Sequence, residues 1–195
     1  MKQSKVICIT GGIGSGKSTV CAMLESKGHP VYYSDERAKA LMHTNATLVQ
    51  GITALLGEKA YLQGELNRAF VAEKIFGSSE LKEKLESIVH PAVREDFEFW
   101  KLNSGSAVVF KESALVFEKG DTTCKHVVSI VADEHIRIAR VMARNTEMND
   151  IQIRERLANQ LGDAHRRAQS DTVIENNGSL EDLNVQVDYL LSKVI

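Results

Sequence analysis

Gly11-Gly12-Ile13-Gly14-Ser15-Gly16-Lys17-Ser18-Thr19 decides how the rest of this chain is read. The stretch fits G-x-x-x-x-G-K-[ST], a loop in which glycines let the backbone turn tightly and bring its N–H groups against phosphate oxygens. Ahead of it, Lys5-Val6-Ile7-Cys8-Ile9-Thr10 is a short apolar run that predicts a buried strand. Behind it, Val20, Met23, Leu24 and Lys27 recur at helical spacing, and Gly28 supplies a C-terminal stop. A helix beginning near Lys17 points its positive dipole end at the same anion. Lys17 reaches the outer phosphates as a point charge, and the Ser18 hydroxyl suits a Mg²⁺ ion. The expected nucleotide cradle is therefore Gly12, Ile13, Gly14, Ser15, Gly16, Lys17, Ser18 and Thr19. A glycine-rich turn that binds nothing is the alternative, and the strand–helix setting disfavours it. The loop predicts a bound nucleoside triphosphate without saying what becomes of it.

A chain of 195 residues suits one domain with inserted subregions. That length buries about 70% of the unfolded surface, enough for a core. Net charge is −2, from 24 basic and 26 acidic residues, so no global field draws the chain to nucleic acid or to an anionic membrane. Cys8, Cys21 and Cys124 show neither paired nor metal-ligand spacing, which predicts small core residues and a reducing compartment. The N-terminal apolar run stops at Thr10-Gly11-Gly12, too early for a signal peptide, and no run reaches membrane-spanning length. A cytoplasmic protein is the default expectation.

Further strands are predicted at Val31-Tyr32-Tyr33, Ala107-Val108-Val109-Phe110, Val127-Val128-Ser129-Ile130-Val131 and Thr172-Val173-Ile174. Amphipathic helical stretches lie between most of them. The last of these carries Leu180, Leu183, Val187, Leu190, Leu191 and Val194 on one stripe. The alternation predicts an α/β three-layer sandwich around a parallel sheet, with ligands at the C-terminal strand ends. Residues 38 to 105 show no convincing strand but repeated helical periods, Ser78 or Ser79 as a cap, and Pro91 ending or starting a helix. The expected organisation is a core of about 1–38, 105–133 and 171–195, a helical substrate region of about 39–104 and a helical lid of about 134–170.

Arg137, Arg140, Arg144, Arg154, Arg156, Arg166 and Arg167 concentrate in that last block. A solvated charged face is the ordinary use of such residues. Beside a triphosphate loop they have another, since arginines on a closing lid offset charge on a migrating phosphoryl group and exclude water. Asp35 follows the second predicted strand, where a carboxylate can orient an acceptor hydroxyl and take its proton; capping the next helix fits as well. Glu112 and Glu118 flank Ser113-Ala114-Leu115-Val116-Phe117 after the third strand, and Glu112 suits either a metal shell or a salt bridge. His90 suits a substrate contact or a helix end, and Trp100, Phe97 and Phe99 suit packing.

Taken together these residues resemble the dephospho-coenzyme A kinase family over nearly the whole chain. Thr10-Gly11-Gly12 leading into the loop is similar to that family's opening. Asp35 with Ala38 and Lys39, Leu66-Asn67-Arg68 with Ile75-Phe76, His90-Pro91 with Arg94, and Leu115-Val116-Phe117-Glu118 follow in its order. Arg140 and Arg144, Gln160 and Asp171, then Ile174-Glu175-Asn176-Asn177-Gly178 complete the pattern. Tyr33, Ala114 and Val131 stand where the family often has Asp, Pro and an acidic residue. The resemblance implies transfer of the γ-phosphoryl of ATP, with Mg²⁺, to the ribose 3′-hydroxyl of dephospho-coenzyme A. It implies Asp35 as base, Lys17 and Arg140 against the transferred group, and Ser18 on the metal. Arg144 and Asn177 would lie at the nucleotide, and Arg68, His90 and Arg94 at the acceptor. A monomer or weak homo-oligomer is expected. The rivals are another small-molecule or nucleotide kinase on this scaffold, and a nucleotide-dependent switch or nucleic-acid motor, which would need further ATPase motifs and a basic face.

Overall fold

The computed structural model describes residues 4–118, 120–145 and 148–195. Over these residues the chain runs β1 (Lys5–Gly11), α1 (Lys17–Ser26), β2 (Val31–Tyr33), α2 (Ser34–Thr44), α3 (Ala46–Leu56), a 3₁₀ turn (Glu58–Ala60), β3 (Tyr61–Leu62), β4 (Glu65–Leu66), α4 (Arg68–Phe76) and α5 (Ser79–Asn103). It continues through β5 (Val108–Glu112), β6 (His126–Val131), α6 (Glu134–Arg144), α7 (Asp150–Ala158), α8 (Asp163–Gln169), β7 (Thr172–Glu175) and α9 (Leu180–Val194). Two compact units form, one from residues 1–32 and 104–195, the other from 33–103.

The sheet of the first unit has the strand order β2-β5-β1-β6-β7. β1 pairs in parallel with both β5 and β6, and β6 in parallel with β7. A strand covered on both faces reads as a continuous apolar run, and β1 is buried from Val6 to Gly11. α9 buries Leu183, Val187, Leu190 and Val194 at helical spacing, each fully buried leucine or valine contributing roughly 1.5–3 kcal/mol. Its start is fixed by a capping box between Ser179 and Asp182. At its other end the Lys5 ammonium donates to the Val194 carbonyl over 3.0 Å. The parallel pairing puts the C-terminal ends of β1, β5, β6 and β7 on one edge.

β5 extends past the predicted Phe110 to Lys111 and Glu112, both buried. Charge ended the predicted run, but the strand continues because the Lys111 ammonium reaches the Asp121 carboxylate at 2.7 Å. The cysteine expectation is corrected too. Cys8 on β1 is bonded to Cys124, which lies 116 residues further on just before β6. Spacing along the chain does not reveal a pair that adjacent strands bring together. The premise for a reducing compartment, a set of unpaired thiols, holds for buried Cys21 and fails for these two.

The second unit packs Ile52, Ala60, Val71, Leu85 and Val89 into a core, with Met42, Phe70, Ile75 and Val93 against it. Two expectations are corrected here. β3 and β4 form a small antiparallel hairpin, pairing Tyr61 with Leu66. Strands of two residues carry no period, and their turn through Gln63 (φ 53°) and Gly64 (φ 85°) is too short to announce itself. α5 runs unbroken through Pro91. Its apolar face continues on both sides, with Val89 and Val93 on the core and Phe97 fully buried, and that packing outweighs the hydrogen bond proline removes. Ser78 caps α5, its hydroxyl accepting from Leu81 N at 3.2 Å. Phe97 stacks on Trp100, whereas Phe99 is 70% exposed and does not pack as expected.

Candidate active site

β1 delivers the chain to Gly11, and α1 takes it up at Lys17. Between them the backbone makes the turn that only glycine allows. Gly16 sits at φ 102°, and a Cβ there would lie 2.0 Å from Asn176 Nδ2. Ser15 N closes the turn on Gly12 O at 3.2 Å. The amides of Lys17, Ser18 and Thr19 open α1, where an α-helix has no preceding carbonyls to receive them. Lys17 Nζ folds over the loop, 2.9 Å from Gly11 O and 3.4 Å from Gly12 O. The Ser18 side chain is exposed beside it. The hydroxyls of Thr10 and Ser15 are buried without a hydrogen-bond partner among the described residues.

The neighbouring strand ends close on this loop. Asn176 follows β7 and is 5% exposed; its Nδ2 donates to Ser15 O at 2.8 Å, and its backbone N–H to Val131 O at 2.8 Å. Its Oδ1 receives Nη2 of Arg140 at 3.3 Å. Arg140 Nη1 is buried and has no partner among the described residues. A guanidinium held by one edge with a donor left over suits an anionic oxygen. Asn177 and Asp133 grip each other: Asn177 Oδ1 accepts from Asp133 N at 2.8 Å, and its Nδ2 donates to Asp133 Oδ1 at 3.0 Å. Arg144 lies one turn beyond Arg140 on α6 and is exposed.

The remaining arginines of residues 134–170 divide. Arg154, Arg156 and Arg167 are exposed, Arg154 paired with Asp150 and Glu134 and Arg167 with Glu175. Arg137 and Arg166 are buried, which the picture of a solvated face does not predict. Arg137 Nε donates to Ile13 O at 2.9 Å, and Gln160 Oε1 accepts from Ile13 N at 2.9 Å. Burial pulls the Arg166 guanidinium below its ordinary pKa, opposed by the carboxylates of Glu118 and Asp163. Glu118 thus stands as a salt-bridge partner, 3.5 Å from Arg166. Glu112 ends β5 in a buried position, and its charge joins burial in pushing the Cys21 thiol up.

In the second unit, Asp35 lies exposed in the first turn of α2, whose N-cap position is Tyr33. Asp35 therefore does not cap that helix. Arg68 opens α4 and is exposed, while the cap there is Asn67, whose side chain accepts from Phe70 N at 3.2 Å. His90 and Arg94 are exposed one turn apart on α5, sharing a face. Asn176 entered the sequence reading only within the run 174–178, with the site role given to Asn177, and the loop-facing contacts of Asn176 and Arg137 went unforeseen. A polar residue directly after an apolar strand, and the spacing of Arg137, Arg140 and Arg144 on one helical face, were the available signals.

The family model described as dephospho-CoA kinase matches residues 5–182. A Salinibacter ruber protein named dephospho-CoA kinase is 42% identical over 180 residues, which is 90% of each chain. A Porphyromonas gingivalis protein of that name is 37% identical over 171 residues, 87% of this chain and 85% of that one. A solved Thermus thermophilus protein superposes with a TM-score of 0.89 at 33% identity over all of both chains. A shikimate kinase from Acinetobacter baumannii shares the fold, with a TM-score of 0.53 at 19% identity over 100% of this chain and 97% of that one.

Proposed function

This chain belongs to the dephospho-CoA kinase family, and from that premise we propose that it transfers the γ-phosphoryl group of ATP to the ribose 3′-hydroxyl of dephospho-coenzyme A, giving coenzyme A and ADP in the final step of coenzyme A synthesis. The observation that carries the chemistry is the clamp of Ser15, Asn176 and Arg140, which leaves a buried guanidinium donor linked to the phosphate loop through Asn176. The acceptor 3′-oxygen bonds to the γ-phosphorus as the bond to the β–γ bridging oxygen breaks, and ADP leaves. Asp35 takes the acceptor proton. Lys17 and Arg140 offset charge on the migrating group, and the α1 amides hold the phosphates that stay behind.

The exposed Ser18 hydroxyl offers an oxygen ligand of the kind Mg²⁺ takes, and when bound the ion would neutralise phosphate charge. Arg144 and Asn177 serve the nucleotide; Arg68, His90 and Arg94 bind the acceptor, with residues 39–104 as substrate region and 134–170 as lid. No helix among the described residues is long and apolar enough to cross a membrane. The enzyme works in the cytoplasm, as a monomer or weak homo-oligomer, without nucleic acid.

The test is an acceptor panel with ATP and magnesium. Dephospho-coenzyme A should be phosphorylated at its 3′-hydroxyl. Turnover of a nucleoside, sugar or shikimate with dephospho-coenzyme A inert would overturn the assignment.

A further inference from the structure

We propose that Arg137 is a positioning residue that pins the phosphate loop in its nucleotide-ready form through the Ile13 carbonyl; the proposal rests on reading residues 11–19 as the ATP cradle. Arg137 is 7% exposed. Its Nε donates to Ile13 O at 2.9 Å, and its Nη1 lies 3.3 Å from each oxygen of Asp163, the first residue of α8. A Cβ at Gly12 would fall 2.0 Å from Arg137 Nη2, and one at Gly14 would fall 2.5 Å from the Arg137 carbonyl. The loop therefore lies against both the guanidinium and the main chain of this one residue. Gln160 holds the same residue through the preceding peptide, its Oε1 accepting from Ile13 N.

These contacts turn the Arg137 donors toward protein atoms, so the residue acts through the loop. Asp163 is what makes the buried charge tenable, because a guanidinium at this depth without a carboxylate would be stranded. With Arg166 and Glu118 close by, two guanidiniums and two carboxylates balance. A loop held this way has already lost its freedom before nucleotide arrives. A loop released from Ile13 must be ordered at binding, and restoring the order of a single residue costs about 10-fold in affinity.

The experiment measures ADP binding by titration, with steady-state kinetics in ATP and in dephospho-coenzyme A, for Arg137→Gln, Arg137→Lys and Asp163→Asn. A cavity of about 410 Å³ bordering Arg137 and Asp163 gives the changed side chains room. Arg137→Gln should raise the ADP Kd and the ATP KM together by about 10-fold, Arg137→Lys by less, and Asp163→Asn in the same direction. The KM for dephospho-coenzyme A should stay within about 2-fold. Folded variants with unchanged ADP affinity overturn the proposal. So does a fall in kcat alone, which would make Arg137 a contact to the reacting group, and so does failure of all three variants to fold, which would make its role structural. A wild-type protein that binds no ADP would instead overturn the reading of the loop itself.

Discussion

The Asn176 side chain donates to the Ser15 carbonyl across 2.8 Å, joining two residues 161 positions apart. Asn176→Ala leaves the Ser15 carbonyl and one Arg140 donor without this partner. The unfolding free energy should fall by about 1–3 kcal/mol in urea, and ADP should bind more weakly. An unchanged midpoint and affinity would show that the clamp carries no energy.

Gly16→Ala asks a β-carbon to occupy φ 102° within 2.0 Å of Asn176 Nδ2. Displacing that amide shifts the loop by a fraction of an ångström or more. The expected outcome is a fall in kcat/KM for ATP of about 10²-fold, measured by initial rates. Ordinary turnover would mean that the loop tolerates a side chain at its tightest point.

Asp35→Asn keeps the shape of the α2 first turn and removes the carboxylate proposed as the base. Nucleotide titration should be preserved while transfer drops by about 10²-fold or more. Lys17→Ala should weaken nucleotide binding and turnover together, since its ammonium lies across the loop.

The Cys8–Cys124 bond ties β1 to the segment entering β6. Reduction, or Cys124→Ser, should lower stability by about 2–4 kcal/mol, because the opened chain regains freedom in the unfolded state. Matched urea transitions with and without reductant check this. Coincident curves would show that strand pairing alone holds that edge.

Burial pushes the Asp121 carboxyl up, but hydrogen bonds from Lys111 and Thr123 win and hold it below the usual aspartate value. A carboxyl with a lower pKa folded than unfolded stabilises the fold fully above its unfolded pKa of about 3.9. That contribution disappears as pH falls through the folded value. Stability measured across the acid range should therefore decline more steeply in the wild type than in Asp121→Asn. At neutral pH Asp121→Asn should itself cost about 1–3 kcal/mol, since the Lys111 side chain is 8% exposed and loses its carboxylate.

Short-range order was legible in the chain. The apolar run before Gly11, the glycine spacing up to Lys17 and the stripe of α9 are local patterns, and local patterns determine a strand, a turn and a helix. The family assignment followed from the same kind of information, motifs in order along the chain. Where the sequence reading stopped short, the deciding partner lay far away. Lys111 continues β5 because Asp121 meets it, and Pro91 stays inside α5 because Val89 and Val93 pack on a common core. Cys8 pairs because its sheet neighbour brings Cys124 alongside, and Asn176 matters because β7 ends beside the loop that begins after β1. The sequence by itself determined which segments fold and which nucleotide chemistry they serve. Tertiary structure decided which polar groups are buried and what they hold, because the free energy of a buried donor or charge depends on a partner that spacing along the chain does not encode.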